Sequence, residues 1–121
     1  MLQLDMRLDN RHEYSIAIIG AAGDLDAMSA DELREVIRVI TKHGIRDFII
    51  DAEHLHFVDS FGFAVLEGCR RYTADRGGNF VLASLPPRTR LAFEMADEVE
   101  KLAICPSIDD AIAEINGAAS N

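Results

Sequence analysis

The sequence predicts an α/β domain in which amphipathic helices pack on a mixed β-sheet, and three observations carry that prediction. Short apolar runs with strand character recur at 15–22, 46–52 and 78–85. Between them lie stretches whose apolar residues return every three or four positions, the period of a helix with one buried face. Strand, helix and strand in that order require a crossover, and a crossover makes the two strands parallel. At 121 residues the chain is long enough for one domain with a core and too short for two of typical size. The domain is expected over 1–117, with a loose tail over 118–121.

The elements follow in order. LQLDMRL at 2–8 alternates apolar and polar residues, a weaker strand that could lie beside the first strong one. SIAIIGAA at 15–22 is a buried strand expected to run into a turn at Gly23 and Asp24. Ser29-Ala30-Asp31-Glu32 has the capping-box form, so a helix is expected to start there. Leu33, Val36, Ile37 and Ile40 mark its inner face, Arg34, Glu35, Arg38 and Lys42 its outer face, and Gly44 its stop. RDFIIDA at 46–52 and GNFVLASL at 78–85 are strands, with helical pattern from Phe61 to Arg76 between them. After Pro86-Pro87, RTRLAFEMADEVEK can form a short helix and LAI at 102–104 a brief strand. Ser107 to Ile115 repeats the capped amphipathic form, with Ile108, Ala111, Ile112 and Ile115 inward.

Composition narrows the function classes. Twelve basic against twenty-one acidic residues give a net charge of -9, which repels phosphate backbones and anionic membrane surfaces. No nucleic-acid partner and no membrane insertion are expected, because no apolar run approaches the roughly 18 residues of a span. The N-terminus resembles neither a secretory signal nor a transit peptide, so a cytoplasmic location is the expectation. Cys69 and Cys105 have no zinc or redox spacing and read as small core residues.

Two glycine-containing motifs invite stronger readings. Gly20 and Gly23 in IIGAAGDLD follow a strand as in a dinucleotide loop, but the central glycine is missing and Asp24 and Asp26 stand where phosphate would approach. No cofactor is expected. Val58-Asp59-Ser60-Phe61-Gly62 is comparable to the nucleophile elbow G-x-S-x-G, with Val58 in place of the first glycine. A nucleophile needs a base, and the candidates are His54 and His56, two apart at a strand end, with His12 and His43 elsewhere. His54 and His56 would share one strand face, yet no third ligand is near in sequence, and solvated or core-edge histidines are the simpler reading; no metal site and no catalytic residue are expected. A third role for Ser60 is to cap the helix starting at Phe61, worth about 1 kcal/mol. Helical projection puts Gly62, Val65, Leu66, Cys69 and Thr73 on the inner stripe and leaves Phe63 on the polar side, either covered by a neighbouring loop or free for a partner.

Phe57-Val58-Asp59-Ser60-Phe61-Gly62-Phe63 resembles the D-S-x-G motif of the STAS domain, best known from bacterial anti-sigma factor antagonists. Gly23-Asp24-Leu25-Asp26 is similar to that family's G-[ED]-L-D, the strand order agrees, and a further match runs from Pro87 through Met95, so the resemblance covers nearly the whole chain. It implies that Ser60 is a phosphoryl acceptor and that Asp24, Asp26, Asp59, Phe61, Gly62 and Phe63 belong to a partner-binding surface. It implies a mechanism too: an anti-sigma factor of the serine-kinase type phosphorylates Ser60, a phosphatase reverses this, and only the unmodified form holds the anti-sigma factor and frees the sigma factor. On that reading the domain is not an enzyme. The alternative within the resemblance is a constitutive adaptor subunit of a stressosome or a lipid-transport ABC system. Departures from the family pattern are Phe61 where a small residue is usual, Phe63 where leucine is common, and Asp97-Glu98 where a glycine often ends the Pro87 helix.

Overall fold

The computed structural model describes residues 1–119, with side chains described for 1–117. Its strands are β1 (Leu2–Asp9), β2 (Ile16–Leu25), β3 (Asp47–Asp51), β4 (Leu55–Val58), β5 (Asn79–Ala83) and β6 (Ala103–Cys105). The helices are α1 (Ala30–Lys42), α2 (Ser60–Asp75), α3 (Pro87–Met95) and α4 (Ile108–Ala119), with a 3-10 turn at Val99–Lys101. The sheet order is β1-β2-β3-β5-β6, and β4 pairs with the far end of β2. Only β1 runs antiparallel to its neighbour, so the sheet is mixed as expected.

Apolar runs become central strands here because both sheet faces are covered. On one face Ala17, Ile19, Phe48, Ile50, Phe80 and Leu82 meet Leu33 and Ile37 of α1, Leu66 of α2 and Phe93 of α3. On the other, Ile16, Ile18, Ile49 and Val81 meet Ala111, Ile112 and Ile115 of α4. The period of two along each strand divides the apolar residues between two helical layers. Among the described residues, no helix is long and apolar enough to cross a membrane. Of the tail expected over 118–121, α4 takes in Ala118 and Ala119, and the remainder lies outside the described residues.

Three local expectations are corrected. Gly23 and Asp24 do not make a turn: β2 continues through them to Leu25, with a bulge between the two where its partner becomes β4. Gly23 has φ +103, and a β-carbon there would overlap the Met1 carbonyl, so its freedom serves the bulge. Ser29 does not form the capping box, since its hydroxyl turns back to donate to the Asp24 carbonyl at 2.8 Å and accepts from the Asp26 amide at 3.0 Å. The serine cap does form at α4, where Ser107 Oγ accepts from the Asp110 amide at 3.1 Å and donates to its carboxylate. The expected run from 88 to 101 is broken after α3, where Asp97 takes the left-handed conformation at φ 59. The Asp97 amide reaches the Glu94 carbonyl and the Glu98 amide the Phe93 carbonyl, closing a Schellman motif. Asp97 thus occupies the conformation for which glycine is the favoured residue.

Candidate functional site

The site is built where β2 and β4 end together. Leu25 is in register with Val58, so the segments leaving these strands, 26–29 and 59–63, emerge side by side. The Asp59 amide donates to the Leu25 carbonyl at 3.2 Å. Its carboxylate then ties both segments down: Oδ1 accepts from the Gly62 amide at 2.9 Å and Oδ2 from the Ala27 amide at 3.1 Å. Gly62 allows this close approach, because a β-carbon there would overlap the Leu25 carbonyl oxygen and Val58. The two motifs are therefore one structure, joined through the backbone.

This geometry corrects the expected cap. Asp59 is the N-cap of α2, and Ser60 is its first residue rather than the cap of a helix starting at Phe61. Both are good capping types in sequence, and only the spacing to Gly62 and the neighbouring loop selects the aspartate. Ser60 is exposed, and its hydroxyl makes no hydrogen bond to any described residue. The first intrahelical bond runs from the Phe63 amide to the Asp59 carbonyl. With the Gly62 amide taken by Asp59, the Ser60 and Phe61 amides are left at the positive end of the helix.

Around Ser60 the surface is apolar as well as acidic. Phe61 is 62% exposed, Phe57 of β4 52% and Met28 of the 26–29 segment 90%. Asp26 accepts from the Met28 amide at 3.0 Å and shapes that segment. Asp24 lies one residue before Leu25, half exposed, with its carboxylate 3.8 Å from the N-terminal ammonium. Phe63 is corrected: α3 covers it, and its ring meets Phe93 edge-on at 4.8 Å and 85°. Gly62 is likewise buried, beneath Leu25. Neither offers side-chain surface to a partner, while Asp24, Asp26, Asp59 and Phe61 remain at or near the surface. The sequence reading also missed Thr89, whose buried hydroxyl donates to the Leu55 carbonyl at 2.8 Å and fastens α3 to β4. An isolated threonine in an amphipathic stretch carries no signal for that role.

His54 and His56 are exposed, with rings 6.5 Å apart, and no histidine hydrogen-bonds to Ser60 among the described residues. Among those residues no three His, Cys, Asp or Glu side chains are arranged to hold a metal ion. Cys69 lies on the buried face of α2, where burial pushes its thiol up to about 12. Cys105 is partly buried and its thiol is also raised, by burial first and then by Glu114 and Asp110.

The STAS domain family model matches residues 7–111. The anti-sigma F factor antagonist of Paenibacillus polymyxa is 20% identical over 113 residues, spanning 93% of this chain and 97% of its own. Among solved structures, an anti-sigma factor antagonist from Mycobacterium paratuberculosis superposes with a TM-score of 0.75 at 18% identity, over 94% of this chain and 95% of that one. The anti-sigma factor antagonist SpoIIAA in its unphosphorylated form gives 0.70 at 21%, over 93% and 97%. The phosphorylated form of the Bacillus protein gives 0.62 at 21%, over 92% and 99%. At these identities the likeness shows a shared fold.

Proposed function

This chain belongs to the STAS domain family, and from that premise we propose that it is an anti-sigma factor antagonist, a binding module switched by phosphorylation of Ser60. The observation that carries the proposal is the division of work between two adjacent residues. Asp59 makes the bonds that hold the site together, and the Ser60 hydroxyl is left exposed and unengaged. A kinase needs such a hydroxyl, and phosphorylation of it leaves the cap intact.

The consequence of modification follows from charge. Phosphate adds about -1.5 to -2 at pH 7 beside Asp59. Its oxygens lie within the influence of the free Ser60 and Phe61 amides, which favours the modified helix start. The partner fares differently. In the unmodified form it packs on Phe57, Phe61 and Met28 around a small hydroxyl; in the modified form it must desolvate a dianion with no counter-charge among those residues. The partner that fits is an anti-sigma factor of the serine-kinase type, with a phosphatase acting on phospho-Ser60 to reset the module.

The test is incubation with a kinase-type anti-sigma factor and Mg-ATP, followed by intact and peptide mass spectrometry and by calorimetry. Phosphate should appear on Ser60 and be absent from Ser60→Ala, and Ser60→Asp should bind the unmodified protein's partner roughly a hundredfold more weakly. Labelling elsewhere removes the acceptor assignment. Full affinity of the Asp variant favours the constitutive adaptor.

A further inference from the structure

The long edge of the sheet is open. β1 stays in unbroken register with β2 from Leu2↔Gly23 to Asp9↔Ile16, and it contains neither proline nor glycine. Edges of this length are normally blunted by proline, bulges or brevity. Leu2, Leu4, Met6 and Leu8 share one face of β1, and Gln3, Asp5, Arg7 and Asp9 the other. Met6 and Leu8, 49% and 44% exposed, open onto a groove of ≈ 370 Å³ lined also by Val39, Ile40, His43 and Ile45. Asp5 and Arg7 have no ionic partner among the described residues, whereas Asp9 is held by Arg11 at 2.6 Å. The edge is thus locally balanced in a chain of net charge -9.

We propose that β1 pairs antiparallel with β1 of a second copy, about a two-fold axis through Met6, to give one continuous sheet. The sequence of the strand selects this register. It sets Met6 against Met6, Leu4 against Leu8 and Asp5 against Arg7, with the last two pairs occurring twice by symmetry. Because side chains alternate faces, the register can only slip by moving the axis a whole residue. An axis through Asp5 opposes two aspartates, and an axis through Arg7 opposes two arginines and sets Asp5 against Asp9. Only the Met6 register joins opposite charges on one face and an unbroken apolar stripe on the other. That stripe brings the two grooves together, so Met6 and Leu8 of both copies are covered. Met6 is in register with Ile19, six residues before Leu25, so the axis lies about 20 Å along the strand from the Ser60 site. The dimer therefore carries two unobstructed sites at opposite ends of its sheet.

Analytical ultracentrifugation over a concentration series tests this. The expected result is a dimer that dissociates on dilution, with Asp5→Arg and Arg7→Asp each weakening association about tenfold or more by opposing like charges twice. The double variant D5R/R7D should regain the parent affinity, since it restores both pairs with the signs exchanged. Both positions are exposed, and thermal melts of each variant verify that it is folded. A monomer at every concentration overturns the proposal. So does a dimer indifferent to either reversal, or a double variant as weak as the single ones.

Discussion

Replacing Asp59 by alanine should destabilise this domain far more than replacing Ser60, although the serine is the residue the resemblance singles out. Asp59→Ala removes the bond to the Gly62 amide, an N-cap worth about 1 kcal/mol. It also removes the bond from the Ala27 amide, a carboxylate contact for which about 1.5 kcal/mol is appropriate at a part-exposed position. The total is roughly 2.5 kcal/mol, which for a chain of this size lowers the melting temperature by about 8–10 °C. Asp59→Asn keeps an oxygen for Gly62 and turns an amide group toward Ala27, so it should fall between, near 5 °C. Ser60→Ala loses no bond, and alanine is a good helix former at an exposed first position, so its melt should shift by no more than about 2 °C. Circular dichroism melts and urea titrations of the three variants measure this directly. Equal or greater loss in Ser60→Ala would refute the assignment of the cap, and with it the claim that the hydroxyl is structurally idle.

Other perturbations probe the same frame. Gly62→Ala puts a β-carbon into the Leu25 carbonyl, so overpacking should destabilise by about 2–3 kcal/mol, read as a lower urea midpoint at unchanged m-value. Asp97→Gly relieves a left-handed aspartate at the end of α3 and, after the larger unfolded-state entropy of glycine, should gain about 0.5 kcal/mol, a rise of about 2 °C. Asp9 is held at about 2, first by the side-chain hydrogen bonds of Arg11 and next by its backbone amide, with burial opposing. Its stabilisation is complete above the ordinary carboxylate value and is lost as pH falls toward 2. Asp9→Asn should therefore melt below the parent at pH 7, with the gap closing between about pH 4 and pH 2.

What the sequence made legible was whatever a local period could encode. The strands at 46–52 and 78–85, the inner faces of α1 and α4, and the stripe from Gly62 to Thr73 all reached their expected sides. The serine cap at Ser107 formed and the one at Ser29 did not, because Ser29 lies against β2 and finds the Asp24 carbonyl there. The same applies to Phe63, on the polar side by projection but covered by Phe93 from a helix thirty residues on. Gly23 and Asp24 remain strand because β4 pairs with them past the end of β3, a partner that a run of glycine and aspartate cannot reveal. At the candidate site, the motif placed Asp59 and Ser60 at the start of α2, yet that Asp59 is the cap and also holds the Ala27 amide depends on a different segment.

With both backbones held by Asp59, folding places almost no demand on the neighbouring codon. Changes at Ser60 are therefore nearly invisible to the selection that removes unstable chains, and under the proposed switch they are judged on signalling. Under the switch proposed above, a descendant gene with alanine there would encode a module that a kinase does not turn off, and one with aspartate a module held off, each on an unchanged scaffold. Alanine one codon earlier would instead weaken the scaffold itself, by the roughly 2.5 kcal/mol worked out above. The proposed switch and the stability of the fold that carries it are thus set by two adjacent residues.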